Sequence, residues 1–394
     1  MIKFPVKLTE SEIEKTLKEI IENPNLPLHL PLNDKHAQFG GLSLAIQTIN
    51  TWSRLGEEKT LLLSSGDRTS DEVADSVIER PFKVAAAMMA KEIKLERDNS
   101  NLKSTTFQKI KEMVEQQATN NYGIQRGGLC SFIFIDHSTK GFDRNFYIDT
   151  TGLPEPRQIK QFENVIKSMI MKSLSASGGV SLTPSNDEIS DIGRIFYELF
   201  INTHEHGSRG KLKNKWIKPG NRVIYTNAIN LSNTAVEYIK KENPPLAEHI
   251  NSFDRNNQQH QFIELSIVDS GLGYVGRWLS DHSEKESESD IPIEFEHDIF
   301  RKCFKFRSSS SHKDYKGMGL PVVMDRLTNL KGFMKIRSGR MSVYRDFKNK
   351  PYQMGDRCAF FDFKTQKDCS ETLTEHPKAE GVSITILIPL EGMK

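Results

Sequence analysis

Glu198, Asn202 and His206 recur at four-residue intervals in the segment Glu198-Leu-Phe-Ile-Asn-Thr-His-Glu-His-Gly207. On an α-helix that spacing stacks all three side chains on one stripe. A carboxylate can take up a proton from a nucleophile, and a carboxamide one turn away can offer oxygen to a hard cation. Further along, Val268-Asp269-Ser-Gly271-Leu-Gly273 sets a carboxylate before a turn in which glycine permits positive φ and close backbone approach. Lys316-Gly317-Met318-Gly319-Leu320 then leads a second glycine turn into an apolar run, and such a turn at a helix N-terminus exposes unpaired N–H groups to phosphate. Each segment alone has an ordinary explanation: a solvated helix stripe, a strand ending in Asp-Gly, a loop. Together and in this order they are the parts of a nucleotide pocket.

The elements that must position them are legible nearby. Ser185 followed by Glu188 predicts a capping box, and Ile189, Ile192, Ile195, Phe196, Leu199 and Phe200 predict the buried face of the helix it opens. Phe262 to Asp269 alternates and is rich in β-branched residues, which predicts a strand ending at the carboxylate. Leu320 to Leu330 suits a helix, with Pro321 tolerated in its first turn. Gly332–Arg345, Arg357–Lys364 and Gly381–Pro389 predict further strands.

Earlier in the chain, helices are predicted from Leu8 to Ile21 and from Leu42 to Leu55, with strands at Leu26–Leu32 and Thr60–Ser64. Asp71–Glu115 reads as helical, Ser131–Asp136 and Asn145–Asp149 as a strand pair, and Pro156–Ser173 as another helix. The division expected is a smaller mixed α/β domain over 1–155, faintly similar to a STAS-type domain, followed by a domain over 156–394. Asp281–Asp290 is expected to be a solvated loop.

Composition narrows the classes. A chain of 394 residues, 37% hydrophobic and 27% charged, reads as globular with room for two domains. A net charge of +2 gives no general electrostatic case for nucleic acid. Cys130, Cys303, Cys358 and Cys369 form no CxxC pair, so neither zinc nor a disulfide framework is indicated. His204 and His206 lie two apart on a helix and face different ways, which argues against a zinc pair. No apolar run reaches the length of a membrane span, and the charged N-terminus predicts no signal peptide; a reduced cytoplasmic protein is expected.

The three segments match the N, G1 and G2 boxes of the GHKL ATPases, and residues 156–394 resemble that superfamily of gyrases, heat-shock chaperones, histidine kinases and MutL-type proteins. The resemblance implies an α+β fold of the Bergerat type, a two-layer sandwich with helices on one face of a mixed sheet. It implies ATP and Mg2+ as ligands, with Asn202 on the magnesium and Asp269 accepting from the adenine amino group. Around the nucleotide it places His206, Gly271, Gly273, Gly317, Met318, Gly319 and Leu320. It makes the Ser-rich insert before Gly317 a mobile lid from which Arg307, Lys313 and Lys316 could reach the phosphates. Glu198 becomes the base for a nucleophile attacking the γ-phosphate, which favours water or a hydroxyl over an imidazole. Val382 stands where the family's closing strand usually carries Thr, and strand alternation puts the neighbouring Ser383 on the opposite face.

Three functions remain open on this reading. One is an ATPase whose lid closure controls a protein partner or a homodimer. Another is a serine/threonine kinase resembling the anti-sigma-factor class. The third is a weakly hydrolysing, nucleotide-gated binding module. A histidine kinase is disfavoured, because His29, His36 and His137 begin no convincing acceptor helix.

Overall fold

The computed structural model describes residues 1–34, 37–138, 141–177, 182–212, 215–231, 233–253, 260–282, 288–305, 319–353 and 359–390. Near the N-terminus β1 (Ile2–Lys3), β2 (Leu28–Leu30), β3 (Thr60–Leu63) and β4 (Glu92–Leu95) pair in sequence order, every pair parallel. Parallel neighbours need crossovers, and α1 (Glu10–Glu22), α2 (Gly41–Arg54), α3 (Ser70–Val77) and α4 (Pro81–Met89) supply them. The helical run expected over 71–115 is therefore broken. Pro81 opens α4 at a position where its missing N–H costs nothing, and Ile93 and Leu95 of β4 alternate into the core before α5 (Lys103–Thr119) begins.

The second sheet has eight strands in the order β13-β12-β11-β14-β10-β9-β6-β5. They are β5 (Ile124–Arg126), β6 (Leu129–Phe134), β9 (Arg222–Leu231), β10 (His260–Asp269), β11 (Phe333–Gly339), β12 (Met341–Asp346), β13 (Phe361–Asp362) and β14 (Ala379–Pro389). The α+β class holds. Within it, a mixed sheet was expected, and the pairing is antiparallel throughout. The two strands expected to pair with each other also part company. β6 joins the large sheet beside β9, while β7 (Tyr147–Ile148) pairs with β8 (Glu155–Pro156). Strands β5 and β6, which precede the division expected near residue 155, thus belong to the same sheet as the C-terminal strands.

Both faces of this sheet are covered, where helices on one face were expected. Ile263, Leu265 and Ile267 of β10 and Ile384, Ile386 and Ile388 of β14 point into a core shared with α6 (Ile159–Ser175), α7 (Asn186–His206) and α12 (Gly319–Asn329). Val223, Tyr225 and Val268 point the other way, into the core that holds α2 and the parallel sheet. Farther along that face lie α8 (Asn233–Glu242) and α9 (Pro244–Asn251). The remaining helices, α10 (Gly273–His282) and α11 (Ile293–Cys303), pack with the first core. Glu288, inside the stretch expected to be solvated, is buried and pairs with Lys378; residues 283–287 lie outside the described ones.

Sandwiched between the two sheets, α2 is buried on all sides from Gly41 to Ser53. A Cβ on Gly41 would sit 1.9 Å from the backbone oxygen of Leu8. Gly41→Ala is therefore expected to destabilise the fold by about 2 kcal/mol, as overpacking does, read as a lowered urea midpoint with unchanged slope. An unchanged midpoint would mean that α2 is not wedged against the Leu8 segment.

Candidate functional site

The capping box forms as predicted: Glu188 N–H donates to Ser185 Oγ at 3.2 Å, and Ser185 N–H donates to Glu188 Oε2 at 2.6 Å. It starts α7, whose apolar face lies in the core, and the helix runs to Gly207 with Glu198, Asn202 and His206 in its last turns. The Glu198 side chain is only 13% exposed, and Arg194 Nη2 lies 2.5 Å from its Oε1. Burial raises the Glu198 carboxyl above its ordinary range, while the Arg194 charge and hydrogen bond oppose the shift. A carboxylate made more basic in this way is better suited to accept a proton.

The N-terminus of α12 comes directly against this group. A Cβ on Gly319 would lie 2.7 Å from Glu198 Oε2, so the lack of a side chain is what lets the glycine turn approach the carboxylate. The side chain of Leu320, a residue that the resemblance places beside the nucleotide, lies in the core. Asn202 has a buried Nδ2 with no hydrogen-bond partner among the described residues. A buried amide donor left unpaired is costly, which suits an acceptor such as a phosphate oxygen; a cation would take the amide oxygen. The predicted contacts Arg307, Lys313, Lys316, Gly317 and Met318 lie outside the described residues.

Asp269 closes the other side. It ends β10 with its carboxylate on the α7 face, where Gly271 N–H donates to Oδ1 at 2.8 Å and the Val382 N–H also donates to it. Burial pushes the carboxyl up to about 7, against those two hydrogen bonds and the charge of Arg222. Three glycines make the packing possible. A Cβ on Gly207 would lie 2.8 Å from Asp269 Cβ, one on Gly271 2.6 Å from His206 O, and one on Gly381 2.0 Å from Asp269 O. His206 thereby touches the first glycine turn through its backbone. Gly273 adopts a φ of 73° and opens α10 against Ser338 and Gly381. Val382 contributes its backbone to Asp269 and its side chain to the core, whereas Ser383 falls on the far face with Thr385, which bonds α2.

Beside Asp269 in the register lies Arg222. Its guanidinium is fully buried and grips Asp136 (Nε and Nη2 to the carboxylate, 2.8–3.0 Å), with Nη1 donating to Tyr147 Oη at 2.8 Å. Ser208 Oγ donates to the same carboxylate. Tyr147 Oη meets His204 Nδ1 at 3.2 Å, and burial, helped by the charges of Arg222 and Arg209, drops that imidazole to about 4. His204 is neutral and structural. Among the described residues no group of three or more His, Cys, Asp or Glu is arranged to hold a metal.

Sequence reasoning saw the apolar spacing of α2 but missed its polar stripe. Ser43 Oγ meets Thr385 Oγ1 at 2.7 Å, Gln47 Nε2 donates to Arg337 O and Gly381 O, Asn50 Nδ2 donates to Asp269 O at 3.1 Å, and Arg54 Nη2 donates to Ser270 O at 2.8 Å. These residues recur every three to four positions, so the signal was present as a second helical periodicity. Through them the N-terminal part of the chain holds the backbone of the Asp269 turn from behind.

Comparison of the chain with protein-family models, with curated proteins and with solved structures gave no match.

Proposed function

We propose that this chain is a magnesium-dependent ATPase of the GHKL type, in which nucleotide binding controls a protein partner or a second copy of the chain. One observation carries the reading: a raised, half-sheltered carboxylate on α7 lies against the glycine start of α12, while a buried Asp ending a neighbouring strand packs against the same helix's C-terminus. A base, a phosphate-facing helix end and an acceptor for adenine are thereby brought to one end of one sheet.

The donor set suits the ligands. With no cluster of carboxylates or histidines among the described residues, a magnesium ion would take its oxygens from phosphate, water and Asn202, the arrangement that ion favours. Bound there, it would neutralise charge building on the phosphates. The chain's own contributions are separate. Glu198 accepts the proton of the attacking water, Asp269 accepts the adenine amino group, and the N–H groups of Gly319 and Leu320 at the start of α12 face the phosphates. A serine hydroxyl on a partner could meet the same base, so phosphotransfer is the second reading, and a gated binding module with little turnover is the third.

The test is calorimetry with ATP and Mg2+ alongside release of inorganic phosphate. Saturable, magnesium-dependent binding with phosphate release supports the ATPase. Label appearing in protein favours the kinase, tight binding without turnover favours the binding module, and no saturable ATP binding sinks all three. Arg194 gives a finer check. In Arg194→Met, Glu198 loses the cation that holds its carboxyl down, so the acid limb of the turnover profile should move to higher pH with the alkaline plateau kept. An unmoved limb would show that the ion pair does not act on the base.

A further inference from the structure

On the face of the large sheet away from Glu198 lies a cavity of about 490 Å³. Its walls are the loop into α2, strand β9 and helices α8 and α9, with Phe39, Leu42, Ile229, Leu231, Ile239 and Leu246 supplying apolar surface. That volume falls within the range of small-molecule sites, which combine an apolar lining with a few convergent polar groups.

Glu264 of β10 and Tyr225 of β9, both buried, and the half-buried Asn227 of β9 provide polar groups. Glu10, Glu242, Arg126 and Arg80, the last paired with Asp34, also line the cavity, three carboxylates against two guanidiniums in all. Glu264 is buried, and its Oε1 accepts from Tyr225 Oη at 2.8 Å and from Gly40 N–H at 3.1 Å, with the Asn227 side chain as a third partner. A carboxylate offers about four acceptor positions, so one is left for a further donor. No Lys, Arg or His pairs with it among the described residues. A carboxylate bordering an apolar cavity without a cationic partner is complementary to a cation carried on an apolar body.

The same carboxylate caps α2, because Gly40 is that helix's N-cap. Asn50 lies ten residues on, roughly 15 Å along the helix, where it holds the backbone oxygen of Asp269. A donor drawn to Glu264 therefore acts on the first turn of the helix that braces the proposed adenine acceptor.

We propose that this cavity is an effector site for a small arylalkyl amine or amidine, and that α2 carries its occupancy to the Asp269 turn. The binding half stands alone; the effector half rests on the proposed nucleotide site.

The experiment titrates the full chain with phenethylamine and benzamidine, using benzoate and 2-phenylethanol as anionic and neutral controls, followed by calorimetry. The amines should saturate and the controls should not, with binding at least 10-fold weaker in Glu264→Gln and in Ile229→Trp, which fills the cavity. Two variants of different kinds guard against one failing to fold. Failure of both amines to saturate, equal binding of benzoate, or indifference to both substitutions overturns the site. Saturating phenethylamine should then shift the ATP dissociation constant at least threefold in wild type, and Asn50→Ala should abolish the shift. Amine binding with no such shift overturns the effector role. A chain that binds no ATP would refute the proposed function, while the amine titration still decides the cavity.

Discussion

Glu198→Ala is expected to lower ATP turnover by about 10²- to 10⁴-fold, the usual weight of a positioned base, while ATP affinity stays within a few-fold of wild type. The carboxylate lies at the start of α12 with Arg194 on its Oε1 and its other oxygen facing Gly319. Its partial burial raises its basicity, which serves a step that ends with the proton on this group. Removing it leaves Asp269 and the α12 N-terminus untouched, so binding energy should survive. Glu198→Gln keeps the shape and loses the base, and should match the alanine variant in turnover. Phosphate release and calorimetry on the same preparations check this. Robust turnover in both variants would mean that another group activates the nucleophile, and equal losses of binding would mean that Glu198 contacts the ground state.

Asp269→Asn is expected to weaken ATP binding by about 10- to 100-fold, the range for a hydrogen bond to a charged group, and to erase preference for adenine over guanine nucleotides. The carboxylate already accepts two backbone N–H groups, from Gly271 and Val382. An asparagine has a single acceptor oxygen, so its NH₂ must point either at one of those donors or at the amino group of the ligand. The pH dependence gives an independent signature. Burial pushes the Asp269 carboxyl up to about 7, and an amino donor binds the ionised form, so ATP affinity should rise through pH 7 in wild type and not in the variant. Taking the difference between the two proteins cancels the titration of the phosphate itself.

Stability should move the opposite way. Because the folded carboxyl lies above its ordinary value of 3.8, the folded state binds the proton more tightly. Its contribution is full below about pH 4 and is lost as pH rises through 7. The melting temperature of wild type should therefore fall further than that of Asp269→Asn between pH 5 and pH 8. Parallel melting curves would mean that the carboxyl is hydrated rather than buried.

Much of the site's scaffold was legible locally. The capping box at Ser185, the apolar face of α7 and the alternation of β10 are short-range patterns whose physics is complete within a few residues. Alternation also placed Ser383 away from Val382's face before any packing was known. Other elements misled because their state is set by distant partners. Glu92–Leu95 sits between helical sequences, and it becomes a strand because β3 offers it a parallel edge. Ser131–Asp136 was expected to pair with Asn145–Asp149, but β6 lies between its local neighbour β5 and β9, far along the chain.

What the sequence by itself determined is the inventory of chemistry: a carboxylate and carboxamide on one helical stripe, an Asp before a glycine turn, and glycines at a helix start. Residue type and spacing suffice for that, because helix and strand periods are fixed by the backbone. Tertiary structure alone decided that Glu198 meets Gly319, that Asp269 packs on Gly207, and that both faces of the sheet are covered. It also decided that Asn50 and Arg54 of an N-terminal helix hold the Asp269 turn from behind. Those contacts join residues separated by scores or hundreds of positions, and no local preference encodes them. They arise because a sheet with apolar side chains on both faces must bury both, and the second burial brings the N-terminal helix to the back of the site.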